Sequence, residues 1–272
     1  SVWNKACALF FVVLSASTMP VPLAWTYTTG NYAWAVAVSR DGHYAVAGSD
    51  DMHTYFFDTQ SPDGKPLWSH EAHGYVRHVA ISSNGTRVAA GDTDGNIFLF
   101  RSDRFGELLW SHRADSPIDA LTMSPDGDYL VAGDHHGNVY VLRRGFVLLQ
   151  YSVPGGVLAV SLSRSRVLAA TSTHGGLYFF GEVSSRSSHA WSFDESTSFP
   201  QITMGEDGRY IVAGGSDGYV NLIDSSGRLV DRQHVGGAIS ALSMSDTAGR
   251  VITGTTDGMV SLYVLQAGLE RI

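Results

Sequence analysis

The feature that most constrains the fold is an internal repeat of short strands rich in small residues. Segments such as Arg87–Gly91 recur six times along the chain, at intervals of 38–43 residues. The six segments are Tyr44–Gly48, Arg87–Gly91, Tyr129–Gly133, Val167–Thr171, Tyr210–Gly214 and Arg250–Gly254. A sequence period of about 20–50 residues indicates a solenoid, a propeller or another repeated array.

Turn signals flank the repeated strands and divide each repeat into four short elements. Ser124–Gly127 precedes one strand with a Pro-Asp-Gly turn, and Asp94-Gly95 follows another. Asp-Gly between apolar runs favours a tight hairpin, because both residues tolerate positive φ. An aromatic-rich strand such as Ile97–Phe100 then follows the second turn. Four short strands in each of six repeats are typical of a β-propeller, so we predict an all-β fold.

The composition agrees with this fold class and excludes several others. The 272 residues include 30 glycines and 11% aromatic residues, but only 16% charged residues, which excludes a coiled coil and a disordered chain. The formal net charge of −8 argues against a nucleic-acid partner, since phosphate binding depends on Lys and Arg. The single cysteine, Cys7, excludes an internal disulfide framework and a cysteine zinc site.

A recurring tryptophan marks the fourth strand and suggests how the propeller closes. Trp25, Trp68, Trp110 and Trp191 each lie eight residues before the start of the next inner strand. The strand at Trp25 has no earlier strands of its own repeat, whereas the last repeat lacks a fourth strand. We therefore predict six four-stranded blades, with the N-terminal strand completing the last blade and hiding its exposed edge.

The first 24 residues form a separate segment. Lys5 precedes the apolar run Ala6–Leu14, and the small residues Ser15–Thr18 follow it. This order is typical of a secretory signal peptide, and an uncleaved membrane anchor is the alternative. We predict an apolar helix in residues 1–24, membrane contact through residues 6–24 if the segment is retained, and a propeller domain in residues 25–272. Either alternative predicts an extracytoplasmic location, in the cell envelope or secreted.

Two sets of motifs resemble known propeller repeats. The segments His78–Gly85 and Ser124–Gly133 are similar to WD40 repeats, although the Trp-Asp pair that ends such repeats is missing. The Leu-Trp pairs in Pro66–Trp68 and Leu108–Trp110 resemble those of quinoprotein-like (PQQ-like) repeats. The chain thus resembles the mixed WD40-like and PQQ-like repeat proteins of prokaryotic cell envelopes over about residues 25–265. The resemblance implies the fold, whereas the fold alone does not define a function.

The best candidate site lies where the inner strands begin. On the propeller analogy this end forms one mouth of the central channel, and its residues differ between the first three repeats and the last three. The candidate partner-binding residues are Tyr32, Trp34, Tyr75, Arg77 and Asp119. The alternative is that these residues reflect ordinary sequence variation between repeats on a solvent-exposed rim, without a binding role.

The sequence offers no metal or catalytic constellation. The acidic residues of the turns, such as Asp92 and Asp134, are explained by hairpin geometry without calcium. The equivalent residues His70 and His112 are interpreted as structural, and no nucleophile elbow, phosphate loop or dinucleotide motif occurs. We expect no cofactor. Asn84 in Asn84-Gly85-Thr86 is a possible glycosylation acceptor, although the turn itself explains it too.

These observations favour a non-catalytic scaffold that binds other protein subunits. The expected partners are membrane-associated proteins, with this chain as an accessory subunit of their complex. A secreted propeller that binds a small ligand or a glycan through Tyr32, Trp34 and Tyr75 is the alternative. A hydrolase or lyase would need acidic and histidine residues together at the mouth, for which Asp119 and His78 are the nearest candidates.

Overall fold

The computed structural model describes residues 23–183, 191–194, 197–245, 249–265 and 269–271. These residues form antiparallel β-strands joined by tight turns, which confirms the all-β class. The predicted apolar helix falls almost entirely on residues 1–22, outside the described residues, so it stays a prediction. Within the described ranges, no helix is long and apolar enough to cross a membrane.

The strands form six sheets of four strands, each sheet built from consecutive strands of the chain. Sheet 1 contains β1 (Ala33–Val38), β2 (Tyr44–Ser49), β3 (His53–Asp58) and β4 (Pro66–Glu71). Sheet 2 contains β5 (Val76–Ile81), β6 (Arg87–Asp92), β7 (Asn96–Arg101) and β8 (Leu108–Arg113). Sheet 3 contains β9 (Ile118–Met123), β10 (Leu130–Asp134), β11 (Asn138–Arg143) and β12 (Phe146–Ser152).

The remaining three sheets repeat this order. Sheet 4 contains β13 (Val157–Leu162), β14 (Val167–Ser172), β15 (Gly176–Glu182) and β16 (Trp191–Asp194). Sheet 5 contains β17 (Gln201–Met204), β18 (Tyr210–Gly214), β19 (Tyr219–Asp224) and β20 (Leu229–His234). Sheet 6 contains β21 (Ile239–Met244), β22 (Arg250–Thr255), β23 (Val260–Leu265) and β24 (Leu269–Arg271).

Neighbouring sheets pack face to face and bury both surfaces of their middle strands. Between sheets 1 and 2, for example, Phe56 and Trp68 meet Val88 and Phe100 in one apolar cluster. The rings of Trp68 and Phe100 lie 5.2 Å apart, a distance typical of favourable aromatic pairs. This double-sided burial explains why the third strands are apolar at almost every position instead of alternating with polar residues.

A glycine at or just before the end of the second strand allows the next sheet to approach closely. A Cβ atom on Gly91 would lie 2.7 Å from Cγ2 of Ile118, the first residue of sheet 3. Val76 of sheet 2 packs against Gly48 in the same way, and Ile239 of sheet 6 packs against Gly214. The first strands therefore pack in series, from β1 and β5 through to β17 and β21.

The series of sheets curves around a common axis. At the end of the sheets where the first strands finish, Nη1 of Arg40 in sheet 1 lies 3.4 Å from Oε1 of Glu206 in sheet 5. Glu206 is also 3.8 Å from Nε of Arg164 in sheet 4. Residues 166 positions apart in the chain thus meet across the axis, as the curvature of a propeller requires.

The predicted closure by the N-terminal strand is wrong in this structure. Sheet 6 takes its fourth strand from β24, so the place that the N-terminal segment was expected to fill is occupied. The segment instead lies on sheet 1, where Trp25 stacks on Phe57 with ring centroids 5.3 Å apart. Its indole also covers Gly64, just as Trp68 covers Gly106 in the next sheet. Aromatic packing on sheet 1 therefore decides the position of Trp25.

Within the described residues, the first and last sheets of the series each keep one face that no neighbouring sheet covers, with Val36 and Val260 about half exposed. The first strand β21 is not packed against β1 in the way that the other consecutive first strands are. A Cβ atom on Gly254 would meet only the Cβ of Ala241, at 3.5 Å, whereas the equivalent Gly91 meets the next sheet. Val260 is 50% exposed, although the equivalent Ile97 of sheet 2 is fully buried. Among the residues that the structure describes, sheets 6 and 1 are therefore not packed together as the consecutive sheets are.

Candidate functional site

The candidate residues lie at one end of the sheets, which we call the mouth end. It contains the start of each first strand and the turn between the second and third strands. The opposite end, which we call the far end, contains the hairpins between third and fourth strands. Antiparallel order brings residues 32–34, 75–77 and 117–119 to the mouth end of sheets 1, 2 and 3.

A β-bulge sets the direction of the key side chain in each of these sheets. Along β1 the pairing passes from Ala33 to Ala35, which leaves Trp34 as the extra residue. The same irregularity leaves Arg77 as the extra residue of β5 and Asp119 as that of β9. A bulge re-aims a side chain at the rim of a sheet and is common beside functional sites. The repeat pattern predicted the position of these residues but gave no sign of the bulge.

Arg77 connects sheets 1 and 2 at the mouth end. Its Nε and Nη2 atoms donate hydrogen bonds to Oδ1 and Oδ2 of Asp50, at 3.0 and 3.2 Å. Its guanidinium carbon lies 4.8 Å from the ring centroid of Trp34 and 5.3 Å from that of Tyr75. A two-point carboxylate contact and two aromatic faces hold the planar guanidinium in one orientation. We call Trp34, Asp50, Tyr75 and Arg77 the arginine cluster.

Two tyrosines present exposed surface beside this cluster. Tyr32 is 70% exposed and Tyr75 is 43% exposed. The carbonyl oxygen of Tyr32 accepts a hydrogen bond of 2.9 Å from the backbone N–H of Asp50, which fixes the segment that carries the ring. The structure thus brings Trp34, Tyr75 and Arg77 into contact, with Tyr32 attached through the backbone of Asp50.

Asp119 belongs to a different contact. Its Oδ2 lies 2.7 Å from Nδ1 of His135, and both side chains are substantially exposed. Sequence reasoning placed Asp119 with His78 and missed His135, which lies in the following turn, 16 residues away. The spacing of the first strand and the second turn within one repeat could have revealed this pair.

The turn carboxylates satisfy backbone and side-chain donors, as the hairpin interpretation expects. Asp134 is fully buried, and its two oxygens accept hydrogen bonds from the backbone N–H groups of His136 and Asn138 and from the side chains of Asn138 and Tyr140. Among the described residues, no three His, Cys, Asp or Glu side chains are placed to hold a metal ion. The prediction that the protein has no metal or cofactor is not tested by this observation.

Asp51 and Tyr55 form a coupled pair at the same end. Burial disfavours the charged form of Asp51, but hydrogen bonds from the Tyr55 hydroxyl at 2.7 Å and from the backbone of Gly30 and His53 hold the pKa of its carboxyl below the usual range. Burial and the same hydrogen bond raise the pKa of Tyr55. The carboxylate therefore stays ionised and the phenol stays protonated at neutral pH.

The equivalent histidines of the first two repeats pack on aromatic rings. The ring of His70 lies 4.7 Å from that of Phe100, and the ring of His112 lies 5.7 Å from that of Tyr140. Burial lowers the pKa of both imidazoles, so they remain neutral at physiological pH. Both residues have the packing of structural histidines.

Asn84 lies in an exposed turn at the far end. Its Oδ1 accepts hydrogen bonds from the hydroxyl groups of Ser82 and Thr86, each at 2.8 Å. The turn therefore accounts for the residue, and glycosylation of Asn84 stays a prediction.

Repeated four-stranded antiparallel sheets, packed in series around an axis, define a repeat protein of the β-propeller class. A family model described as outer membrane protein assembly factor BamB matches residues 13–181, which is more than half of the chain. The chain belongs to this family of PQQ-like repeat propellers, as the Leu-Trp motifs suggested. A search of curated proteins returned no match.

Proposed function

We propose that the protein is a non-catalytic interaction module on the extracytoplasmic side of the cell envelope, each sheet being one propeller blade. In this role it is an accessory subunit that binds another membrane-associated protein through the mouth end of sheets 1 and 2. The family description, which names an outer membrane protein assembly factor, supports a role in an envelope complex. The apolar run at residues 6–14 supports export from the cytoplasm.

The arginine cluster is the observation that carries this proposal. Tyr, Trp and Arg are enriched among the residues that dominate protein–protein binding energy, especially when they are held rigidly before binding. Arg77 is already fixed by Asp50 and two rings, so little side-chain entropy remains to be lost on association. Tyr32 and Tyr75 then provide exposed, amphipathic contact area.

The charge of the surrounding surface indicates which partner fits. Exposed acidic residues lie in the mouth-end turns and connections of sheets 1 and 2, namely Glu71, Asp94 and Asp115, and they outnumber the exposed Arg113 at the same end. The guanidinium of Arg77 is neutralised by Asp50, so the rim around the tyrosines is predominantly negative. A partner surface with Lys or Arg at its edge and apolar residues at its centre matches this arrangement.

A pull-down from detergent-solubilised membranes tests the proposal. The wild-type chain should retain a specific protein, and the double substitution Tyr32→Ala/Tyr75→Ala should lower its recovery strongly. Phe105→Ala is the control, since Phe105 is an even more exposed aromatic residue at the far end. Recovery of the protein alone, or equal losses in the control and the double variant, would count against the proposal.

A glycan-binding propeller is a second candidate, supported by the exposed rings of Tyr32 and Tyr75. The face of Trp34 is less suitable than the sequence suggested, because the guanidinium of Arg77 lies 4.8 Å above it. A glycan array probed with wild-type protein and with Tyr75→Ala distinguishes the candidates. Hits that disappear in the variant would favour the glycan ligand over a protein partner.

A further inference from the structure

Two hairpins at the far end carry exposed aromatic residues that are not packed in the protein interior. Phe105 lies at the tip of the hairpin between β7 and β8 and is 84% exposed. Phe146 follows the tip of the hairpin between β11 and β12 and is 72% exposed. Large apolar side chains this exposed mark interaction surfaces when they form a contiguous patch.

The two hairpins are neighbours, and further apolar residues connect them. A Cβ atom on Gly145 would lie 3.3 Å from Cβ of Trp110, so the second hairpin rests on β8. Exposed aliphatic side chains precede Trp110 in β8 and follow Phe146 in β12. We call these residues the hairpin-tip patch: Phe105, Leu108, Phe146, Val147 and Leu148.

An exposed arginine accompanies each phenylalanine. The first hairpin also carries two acidic residues: Asp103 accepts hydrogen bonds from the backbone N–H groups of Phe105 and Gly106, and Glu107 is paired with Arg101 at 3.1 Å. Arg104 directly precedes Phe105, and Arg144 lies two residues before Phe146. Neither arginine makes an ion pair within the part of the chain that the structure describes, whereas the adjacent Arg143 is paired with Asp128 at 2.6 Å. Arg144 also has a φ of 53°, a turn conformation that usually selects Gly, Asn or Asp. Local turn chemistry therefore does not explain an arginine at this position.

The equivalent hairpins of two other sheets lack this combination. The hairpin of sheet 1 carries Asp63 at its tip, where the carboxylate accepts a hydrogen bond from Ser61. The hairpin of sheet 5 carries Ser225 and Ser226. Of these four hairpins, those of sheets 2 and 3 combine an exposed phenylalanine with an exposed arginine, whereas those of sheets 1 and 5 do not.

We propose that the hairpin-tip patch docks on an anionic lipid bilayer. Phenylalanine and leucine side chains enter the boundary between headgroups and acyl chains, while arginines contact anionic headgroups, as in other interfacial membrane anchors. Pairing with a partner β-strand fits less well. The outer strands have a bulge at Leu109 and at Leu148, which interrupts their free edges where the apolar residues lie.

Docking of the domain on a bilayer through the hairpin-tip patch is compatible with the proposed partner site at the mouth end. Trp25 packs over Gly64 at the far end of sheet 1, so the chain enters the described domain on the same end as the patch. Leu23, two residues before Trp25, is exposed, and the apolar run 6–14 lies upstream in the sequence. Docking through the far end would leave the mouth end with Tyr32 and Tyr75 facing away from the bilayer.

Vesicle flotation with the full chain tests the proposal. The wild type should float with vesicles of phosphatidylcholine mixed with phosphatidylglycerol, and more weakly with pure phosphatidylcholine. Phe105→Ser/Phe146→Ser should lower the partition coefficient at least about tenfold, because burial of one such ring contributes about that factor or more. Arg104→Ser/Arg144→Ser should lower it about fivefold per arginine, on anionic vesicles only.

Tyr32→Ser is the matched control, an exposed aromatic residue at the mouth end that should leave flotation unchanged. A photo-crosslinking analogue in place of Phe146 gives a second readout, independent of residues 1–22, and should form a lipid adduct. Wild type that does not float, or equal flotation of the double phenylalanine variant, would overturn the proposal. So would an adduct with a protein, or a change of oligomeric state in the variant without vesicles.

Discussion

Alanine substitutions at Gly91 and Gly254 compare the same position of the repeat with and without a neighbouring sheet. Both glycines are the penultimate residue of a second strand, and neither has the positive φ that would strain an alanine. At Gly91 the new methyl group would lie 2.7 Å from Cγ2 of Ile118, a buried and branched side chain that cannot turn away. At Gly254 the nearest atom would be the Cβ of Ala241, at 3.5 Å, which is an ordinary contact.

The two substitutions should therefore differ in their effect on the free energy of unfolding. Overpacking a close-packed site costs about 1–3 kcal/mol. Replacing glycine also stabilises a compatible site by about 0.4–1 kcal/mol, because the unfolded chain loses conformational freedom. We expect Gly91→Ala to destabilise the protein by about 1–2 kcal/mol, and Gly254→Ala to leave stability unchanged or raise it by about 0.5 kcal/mol.

Urea unfolding followed by tryptophan fluorescence, together with calorimetry, measures the difference. A loss of about 1–2 kcal/mol corresponds to a fall in Tm of roughly 2–8 °C for a domain of this size. Ile239→Ala serves as a control, since this buried residue shows whether the unfolding signal responds to changes in sheet 6. Equal destabilisation by both glycine substitutions would refute the reasoning, because it would require a neighbour packed on Gly254.

Three further predictions concern individual side chains. Asp134→Ala should lower the free energy of unfolding by about 3 kcal/mol in urea titrations, since hydrogen bonds to a buried charged group contribute about 1.5–3 kcal/mol each. Hydrogen bonds from Ser226 and Arg228 lower the pKa of Asp224 to about 2. Its contribution to stability should be complete above the unfolded-state pKa near 3.8 and be lost as the pH falls towards 2, and Asp224→Asn should flatten this part of the stability profile. Arg77→Lys should destabilise the protein by about 1 kcal/mol in the same titrations, because lysine cannot form the two-point contact with Asp50 or stack between two rings.

Local sequence patterns predicted the strands except at the two ends of the series, where β24 was not expected and residues 25–28 do not form the predicted strand. The repeated segment Tyr44–Gly48 corresponds to β2, which ends at Ser49, and Asp94-Gly95 forms the turn between β6 and β7. Both features depend on residues close together in the chain, since Asp-Gly turns and short apolar runs determine where a strand begins and ends. The antiparallel sheets follow from the same short connections.

Contacts between repeats could not be predicted in this way. The pair between Arg77 and Asp50 spans 27 residues and two sheets, and the bulge that aims Arg77 depends on the register of β5 with β6. The position of Trp25 was also predicted incorrectly. The sequence of the last repeat suggested a missing fourth strand that the N-terminal segment could supply, whereas stacking on Phe57 fixes this segment on sheet 1. Such contacts are decided by which surfaces meet after the sheets have formed.

Photo-crosslinking from the mouth end tests the proposed function most directly. A crosslinking analogue in place of Tyr75, in cells that express the full chain, should give one dominant adduct with a membrane-associated protein. The same analogue at Arg209, which is exposed at the far end of sheet 5, should not give this adduct. An absence of protein adducts from position 75, or the same adducts from both positions, would contradict the assignment of the arginine cluster as the partner-binding site.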